Sequence, residues 1–293
     1  MKKLETEVQK YKRVAFMLLK AFPLLDRAYK ALSGWKAKLL SQAGRTVLIN
    51  STLSAFPCYQ MQCFEFPKGT LDEFDRIQRD FWWDKENPKK AYYPKAWDAI
   101  RMPKISGGVG IRNPHNVNLS LLTKLGWRML NNPNDLWIRI LKGKYFPRNN
   151  PLHKNRDYEI SLIWHSIRKG LDIVKENYIW EVGDGRNINI SLDNWIPGVS
   201  HLQNLNDNEL KFFSDLIDQN GCWDNNKIDV SFTPDVACKI KSIYINGDSQ
   251  DRIRWRGTKN GEFSSKSVYR ILSNTGDNGD KCWQKNMAFR STA

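Results

Sequence analysis

Leu71, Phe74, Ile77 and Phe81 fall three or four residues apart, the spacing that lines up side chains along one face of an α-helix. The same period recurs at Leu4, Val8, Tyr11, Ala15 and Leu18, at Val47, Leu48, Leu53 and Phe56, and at Leu119, Leu122, Leu125 and Met129. A stretch with this repeat can bury its apolar faces only as packed helices. The spacing predicts helices over 4–20, 24–40, 41–56, 70–81, 116–129 and 134–145. Start signals agree with it: Ser41 stands where an N-cap belongs, and Thr70-Leu71-Asp72-Glu73 has the T-x-x-E spacing of a capping box.

After residue 147 the pattern changes. PRNNPLHKNRD at 147–157 reads as a connector rich in proline and asparagine. Beyond it Ser161 caps a further helix through Trp164, Ile167 and Leu171, and Thr233-Pro234 opens another with threonine as N-cap and proline in the first turn. YIWEVGDGRNINISL alternates apolar and polar residues on both sides of Asp184-Gly185, and IRWRGTKNGEFS does so around Asn260-Gly261, so two β-hairpins are predicted. The expected fold is α+β: a mostly α-helical basic half at 1–147, then a smaller mixed half at 148–293 with two β-hairpins.

Charge follows the same division. Residues 1–147 hold 26 Lys and Arg against 12 Asp and Glu, a net of +14, whereas residues 148–293 hold 20 against 19, a net of +1. The first half is therefore the one that faces a polyanion, most often RNA or DNA. Lys36, Lys38 and Arg45 lie near Trp35; Lys89, Lys90 and Lys95 lie near Tyr92, Tyr93 and Trp97. Cations neutralise phosphates while aromatic faces stack bases, which makes Lys36, Lys38, Arg45, Lys89 and Lys90 the candidate phosphate contacts. Trp35, Trp127 and Trp137 sit on amphipathic helices and are better read as core.

Several chemistries are excluded. Gly107, Gly108 and Gly110 in ISGGVGIRNPHN suggest a phosphate cradle, but no lysine followed by a hydroxyl completes a P-loop, and Asn113 occupies the third glycine's place of a dinucleotide fingerprint. A turn that redirects the chain into the next helix is the better reading. Cys58, Cys63, Cys222, Cys238 and Cys282 are scattered and odd in number, which suits reduced thiols in the cytosol or nucleus. His115, His153, His165 and His201 stand alone, so no metal site is expected. No Asp-Asp pair offers two-metal chemistry; Asp72, Glu73 and Asp75 read as first-turn acids, and Asp184 and Asp193 as turn residues. No cofactor is expected, and no apolar run of about 18 residues crosses a membrane.

The ordered motifs resemble those of plant-type non-LTR (LINE-like) retrotransposon polyproteins. WKAKLLSQAGRTVLINSTLSAFPCYQMQCFEFP at 35–67 is similar to that family's W-K-x-K-x-L-S-x-A-G-R-x-x-L-I-x-x-x-L-x-A-x-P-x-Y-x-M. The likeness continues through FWW at 81–83 and MPKISGGVGIRNPHNVNLSLLTKLGWRML, where the family reads P-K-x-x-G-G-L-G-I-x-x-x-x-x-x-N-x-A-L-L-x-K-x-x-W-R. LWIRILKGKYFP, WEVGDGRNINISLDNWIPG and WRGTKNGEFSSKSVYRIL follow, so that it covers about residues 24–272. The resemblance implies the region after the reverse-transcriptase palm, running into the zinc-binding region. The palm carboxylates would precede Met1, and the zinc ligands and a ribonuclease H domain would follow Trp283. No catalytic position of that family maps onto this chain.

Three functions compete on these grounds. One is a reverse-transcriptase fragment, inert alone, that holds template or primer and packs against a polymerase domain. Another is a transposon relic or shortened gene product without selected activity. An independent enzyme is the third, and no acid–base or metal constellation supports it.

Overall fold

A computed structural model describes residues 23–32, 39–84, 92–147, 150–153, 161–199, 210–218, 221–245, 247 and 249–273. The helix expected over 4–20 and the side chain of Trp35 lie outside these. The described chain is mixed α+β and mostly helical, as expected. Its main helices are α1 (23–32), α2 (Gln42–Ser51), α3 (Lys68–Trp82), α4 (Pro114–Asn131), α5 (Leu136–Tyr145), α6 (Leu162–Asn177), α7 (Asn225–Ser231), α8 (Pro234–Lys241) and α9 (Ser265–Leu272). Two strands, β1 (Tyr178–Glu181) and β2 (Arg252–Trp255), form one antiparallel sheet. The chain divides into two compact units: Met1–Gly126 with Asp157–Gly170 and Leu272–Thr275, and Trp127–Arg156 with Leu171–Ile271 and Gly276–Ala293.

In the first unit the predicted periodicity becomes packing. Ala28 of α1, Ile49 of α2, and Phe74, Ile77 and Trp82 of α3 are buried together with Leu53, Ile100 and Ile111. Ser41 caps α2 as expected, its Oγ accepting the Gly44 N–H at 3.3 Å. The capping box at Thr70 does not form. Helix α3 starts two residues earlier behind Pro67, whose carbonyl accepts the Thr70 and Leu71 amides at 3.0 and 3.2 Å. Thr70 is therefore buried inside the first turn, and Glu73 is free to pair with Arg76.

A second cluster joins Leu24, Met61, Phe64, Phe66 and Leu71. Asn118 of α4, only 1% exposed, is its polar pin. The Asn118 Nδ2 donates to the Met61 and Phe64 carbonyls at 2.9 and 3.1 Å, and its Oδ1 accepts the Phe66 N–H at 2.9 Å. Ser166 of α6 accepts the neighbouring Glu65 N–H at 2.8 Å.

The second unit corrects the two hairpins. β1 pairs with β2, Tyr178 opposite Trp255 and Glu181 opposite Arg252, and no second strand forms after either glycine turn, although the Trp255 N–H donates to the Gly261 carbonyl at 2.8 Å. After β1 the amides of Gly183, Gly185 and Asn187 all donate to the Asp251 carboxylate at 2.8–3.0 Å, so the Asp184-Gly185 bend wraps a distant side chain instead of reversing the strand. After Asn260-Gly261 the chain enters α9. Phe263 stacks on Trp127 with ring centres 5.3 Å apart, and Trp255 meets both rings edge-on. Trp127 is thus half-buried within an aromatic cluster.

Candidate nucleic-acid interface

Arg45 is the one candidate phosphate contact that falls within the described residues. It lies on the inner side of α2, 6% exposed. Its Nε donates to the Leu40 carbonyl at 3.1 Å, one terminal nitrogen to the Phe81 carbonyl at 3.3 Å, and the other pairs with Asp84 at 2.9 Å. The guanidinium also lies 5.8 Å from the centre of the Phe81 ring. Its three nitrogens are thus engaged by Leu40 and by the end of α3. Lys36, Lys38, Lys89 and Lys90 lie outside the described residues.

The arginines around α3 are likewise held by acids. Arg76 bonds both Glu73 oxygens at 2.6 and 2.9 Å and reaches Asp80 at 3.3 Å. That pairing holds the Glu73 carboxyl below the usual carboxylate range, against the opposing effect of burial. The Tyr29 hydroxyl donates to Glu73 at 2.7 Å and is pushed up to about 12, first by burial and then by that hydrogen bond. Arg79 lies 4.6 Å over the Tyr93 ring, and the Tyr93 hydroxyl donates to Asp80 at 2.6 Å. Trp97 donates to Asp75, and Arg101 pairs with Asp75 at 2.7 Å and with Asp98. Among the described aromatics expected near phosphates, only Tyr92 is openly exposed, at 76%.

Every amide of the glycine turn already has a carbonyl partner. Gly107 and Gly108 donate to Lys104 and Pro103, Val109 to Ile100, and Gly110 to Met102, at 2.8–3.2 Å. With no N–H left over, the turn cannot cradle a phosphate. Gly107 and Gly110 supply the positive φ of 79° and 75°, and a Cβ on Gly108 would overlap the Met102 carbonyl. The turn delivers Ile111 to the core and leaves Arg112 exposed.

Arg112 lines a small depression with Ser54, Gln78, Met61, Phe74 and Val117. Ser54 Oγ and Gln78 Oε1 are buried there without a hydrogen-bond partner. Burial pushes the neighbouring Cys58 thiol up, partly offset by the Arg112 charge. The space has room for about one water molecule and none for a nucleotide. Among the described residues no three His, Cys, Asp or Glu side chains could hold a metal ion, and no helix is long and apolar enough to cross a membrane.

Several described cations left open to solvent are not among the candidate phosphate contacts of the sequence. Lys104 and Arg112 flank the glycine turn of the first unit, and Arg139 and Lys142 project from α5 in the second. A signal for the α5 pair was present: LWIRILKGKY contains no acid at all.

The geometry describes a mostly helical α+β protein with a basic N-terminal half. No family model matches the chain. It is 31% identical over 265 residues to the Arabidopsis thaliana protein named "Putative ribonuclease H protein At1g65750", a match covering 85% of this chain and 42% of that protein. It is 29% identical over 153 residues to "Uncharacterized mitochondrial protein AtMg00310" of the same plant, across 52% of this chain and 99% of that protein. The chain thus spans less than half the length of the first of these relatives.

Proposed function

We propose that this chain is the region beyond the polymerase palm of a retrotransposon reverse transcriptase, and that residues 1–147 hold template RNA or a primer–template duplex. The observation that carries this is the net charge of +14 in that half, coupled to motifs that keep the family's order from Trp35 to Leu272. The similarity to a protein named for ribonuclease H, an activity that acts on RNA–DNA hybrids, supports the same setting. The chain contributes grip and position rather than chemistry.

Since Arg45 is committed to carbonyls and Asp84, the phosphate contacts fall to Lys36, Lys38, Lys89 and Lys90 together with the open Lys95, Lys104 and Arg112. Binding measured over a range of salt tests this. Affinity for single-stranded RNA and for RNA–DNA duplex should fall on a log–log plot with a slope of about −0.7 to −0.9 per phosphate neutralised. Changing Lys36, Lys38, Lys89 and Lys90 together to glutamine should flatten that slope. Undetectable binding at low salt, or binding indifferent to salt, ends the proposal.

A further inference from the structure

Helix α5 has two unlike faces. Ile138 and Tyr145 are buried, and Trp137 and Leu141 are half-buried beside them. On the opposite side stand Leu136 and Ile140, one turn apart and 70% and 62% exposed. Gly143 continues that strip, and nothing lies within 4 Å of where its Cβ would stand. Arg139, Lys142 and Lys144 border the strip, all exposed. The helix carries no acid, and Asp135 just before it is taken by Arg128 at 2.7 Å. Among the described residues Arg139 and Lys142 have no acidic partner.

We propose that this face of α5 docks an amphipathic, acid-flanked helical segment of another protein. Two aliphatic side chains at i and i+4 match the anchors of one helix laid against another, and Gly143 permits close approach of a second backbone. The bordering cations call for glutamate or aspartate around the partner's apolar stripe, so charge complementarity selects the partner's chemistry. RNA would satisfy the cations but leave Leu136 and Ile140 without a match, since no exposed aromatic on the face can stack a base. A lipid surface would gain too little from two aliphatic residues on a ten-residue helix. An anchor this small gives a weak, transient interface, of the kind used between parts of a larger assembly.

Fluorescence anisotropy on the full chain tests the proposal with two labelled peptides of equal composition. One is a helical peptide with leucine at i, i+4 and i+7 flanked by glutamates; the other has the same residues in an order that scatters the leucines. The patterned peptide should bind about tenfold more tightly, weakening as salt rises. Leu136→Ser with Ile140→Ser should remove that preference, and Arg139→Gln with Lys142→Gln should weaken the patterned peptide about fivefold. Because all four side chains are exposed, the variants should melt where the parent does. Poly-U RNA affinity should be unchanged by the two serine substitutions. Equal binding of both peptides would overturn the proposal. So would failure of the serine variant to lose the preference, or a Leu136-dependent self-association that blocks peptide binding. If the peptides fail while poly-U binding depends on Arg139 and Lys142, α5 is a nucleic-acid surface instead.

Discussion

Asn118 Oδ1 accepts the backbone N–H of Phe66 at 2.9 Å while the other end of the same amide donates to Met61 and Phe64. One side chain on α4 thus closes three backbone groups of a turn in which Phe64 and Phe66 are buried. Asn118→Leu keeps the volume and orphans all three. Each buried unpaired group costs about 1–3 kcal/mol, so a loss of about 3 kcal/mol or more in folding stability is expected. Urea unfolding measures it; a change below about 0.5 kcal/mol, the size of an ordinary surface substitution, would contradict the pinning role.

Arg45 makes the opposite prediction from an open phosphate contact. Its Asp84 partner stands at φ 57°, a left-handed conformation that aspartate tolerates better than most residues, and the ion pair helps hold α3's exit there. Arg45→Ala strips hydrogen bonds from the Leu40 and Phe81 carbonyls and empties a buried site, at a cost of about 2–4 kcal/mol. RNA affinity per folded molecule should stay the same. A fall in affinity at unchanged thermal stability would restore Arg45 to the interface.

The helices of the first half were legible because an apolar period runs through their described packed segments, from Ile49 to Ile77 to Leu122, although Val47, read on the apolar side of α2, is 66% exposed. Pairing over long distances was not. Tyr178 and Trp255 each neighbour a strong local turn signal, yet they pair with each other because Asp251 occupies the first turn's amides and α9 follows the second. Asp193 shows the same limit. It reads as a turn residue, but its carboxylate is buried and accepts from the Tyr178 hydroxyl and the Asn189 N–H at 3.0 and 2.8 Å, with His153 3.1 Å away. Burial and this charge together push the Tyr178 hydroxyl up. Asn118 was visible as a letter in the motif, while its three partners lie 52 to 57 residues away in sequence. Of the interface, the sum of charge was legible; which cations stay free depended on where acids such as Asp75, Asp80 and Asp84 fold.

The glycine turn separates two kinds of cost. Gly107 has positive φ but open space around it, so Gly107→Ala should lose about 1 kcal/mol through backbone strain alone. At Gly108 an added methyl would meet the Met102 backbone carbonyl, which cannot swing aside, and a loss of about 2 kcal/mol or more is expected. Thermal melts of the two variants rank them. Equal losses, or a larger one at Gly107, would mean that close approach at Gly108 is not what fixes this residue.

The Tyr29–Glu73–Arg76 group predicts opposite effects at the two ends of the pH range. Arg76 holds the folded Glu73 carboxyl below its ordinary value of 4.5, so the folded state favours the ionised form. Its stabilisation is complete above 4.5 and is lost as pH falls from there through the folded value. The Tyr29 hydroxyl is pushed the other way, from 10.0 up to about 12, so the folded state favours its neutral form. That contribution is complete below 10 and is lost as pH rises towards 12. Both side chains are partly exposed, and solvent should keep each effect below about 1 kcal/mol. Melting temperatures followed from pH 3 to 5 should therefore drop less steeply in Glu73→Gln than in the parent, while Tyr29→Phe should flatten the alkaline limb and leave most of the acid limb in place. Parallel acid limbs in Glu73→Gln and parent would show that the Arg76 pair does not link this helix to pH.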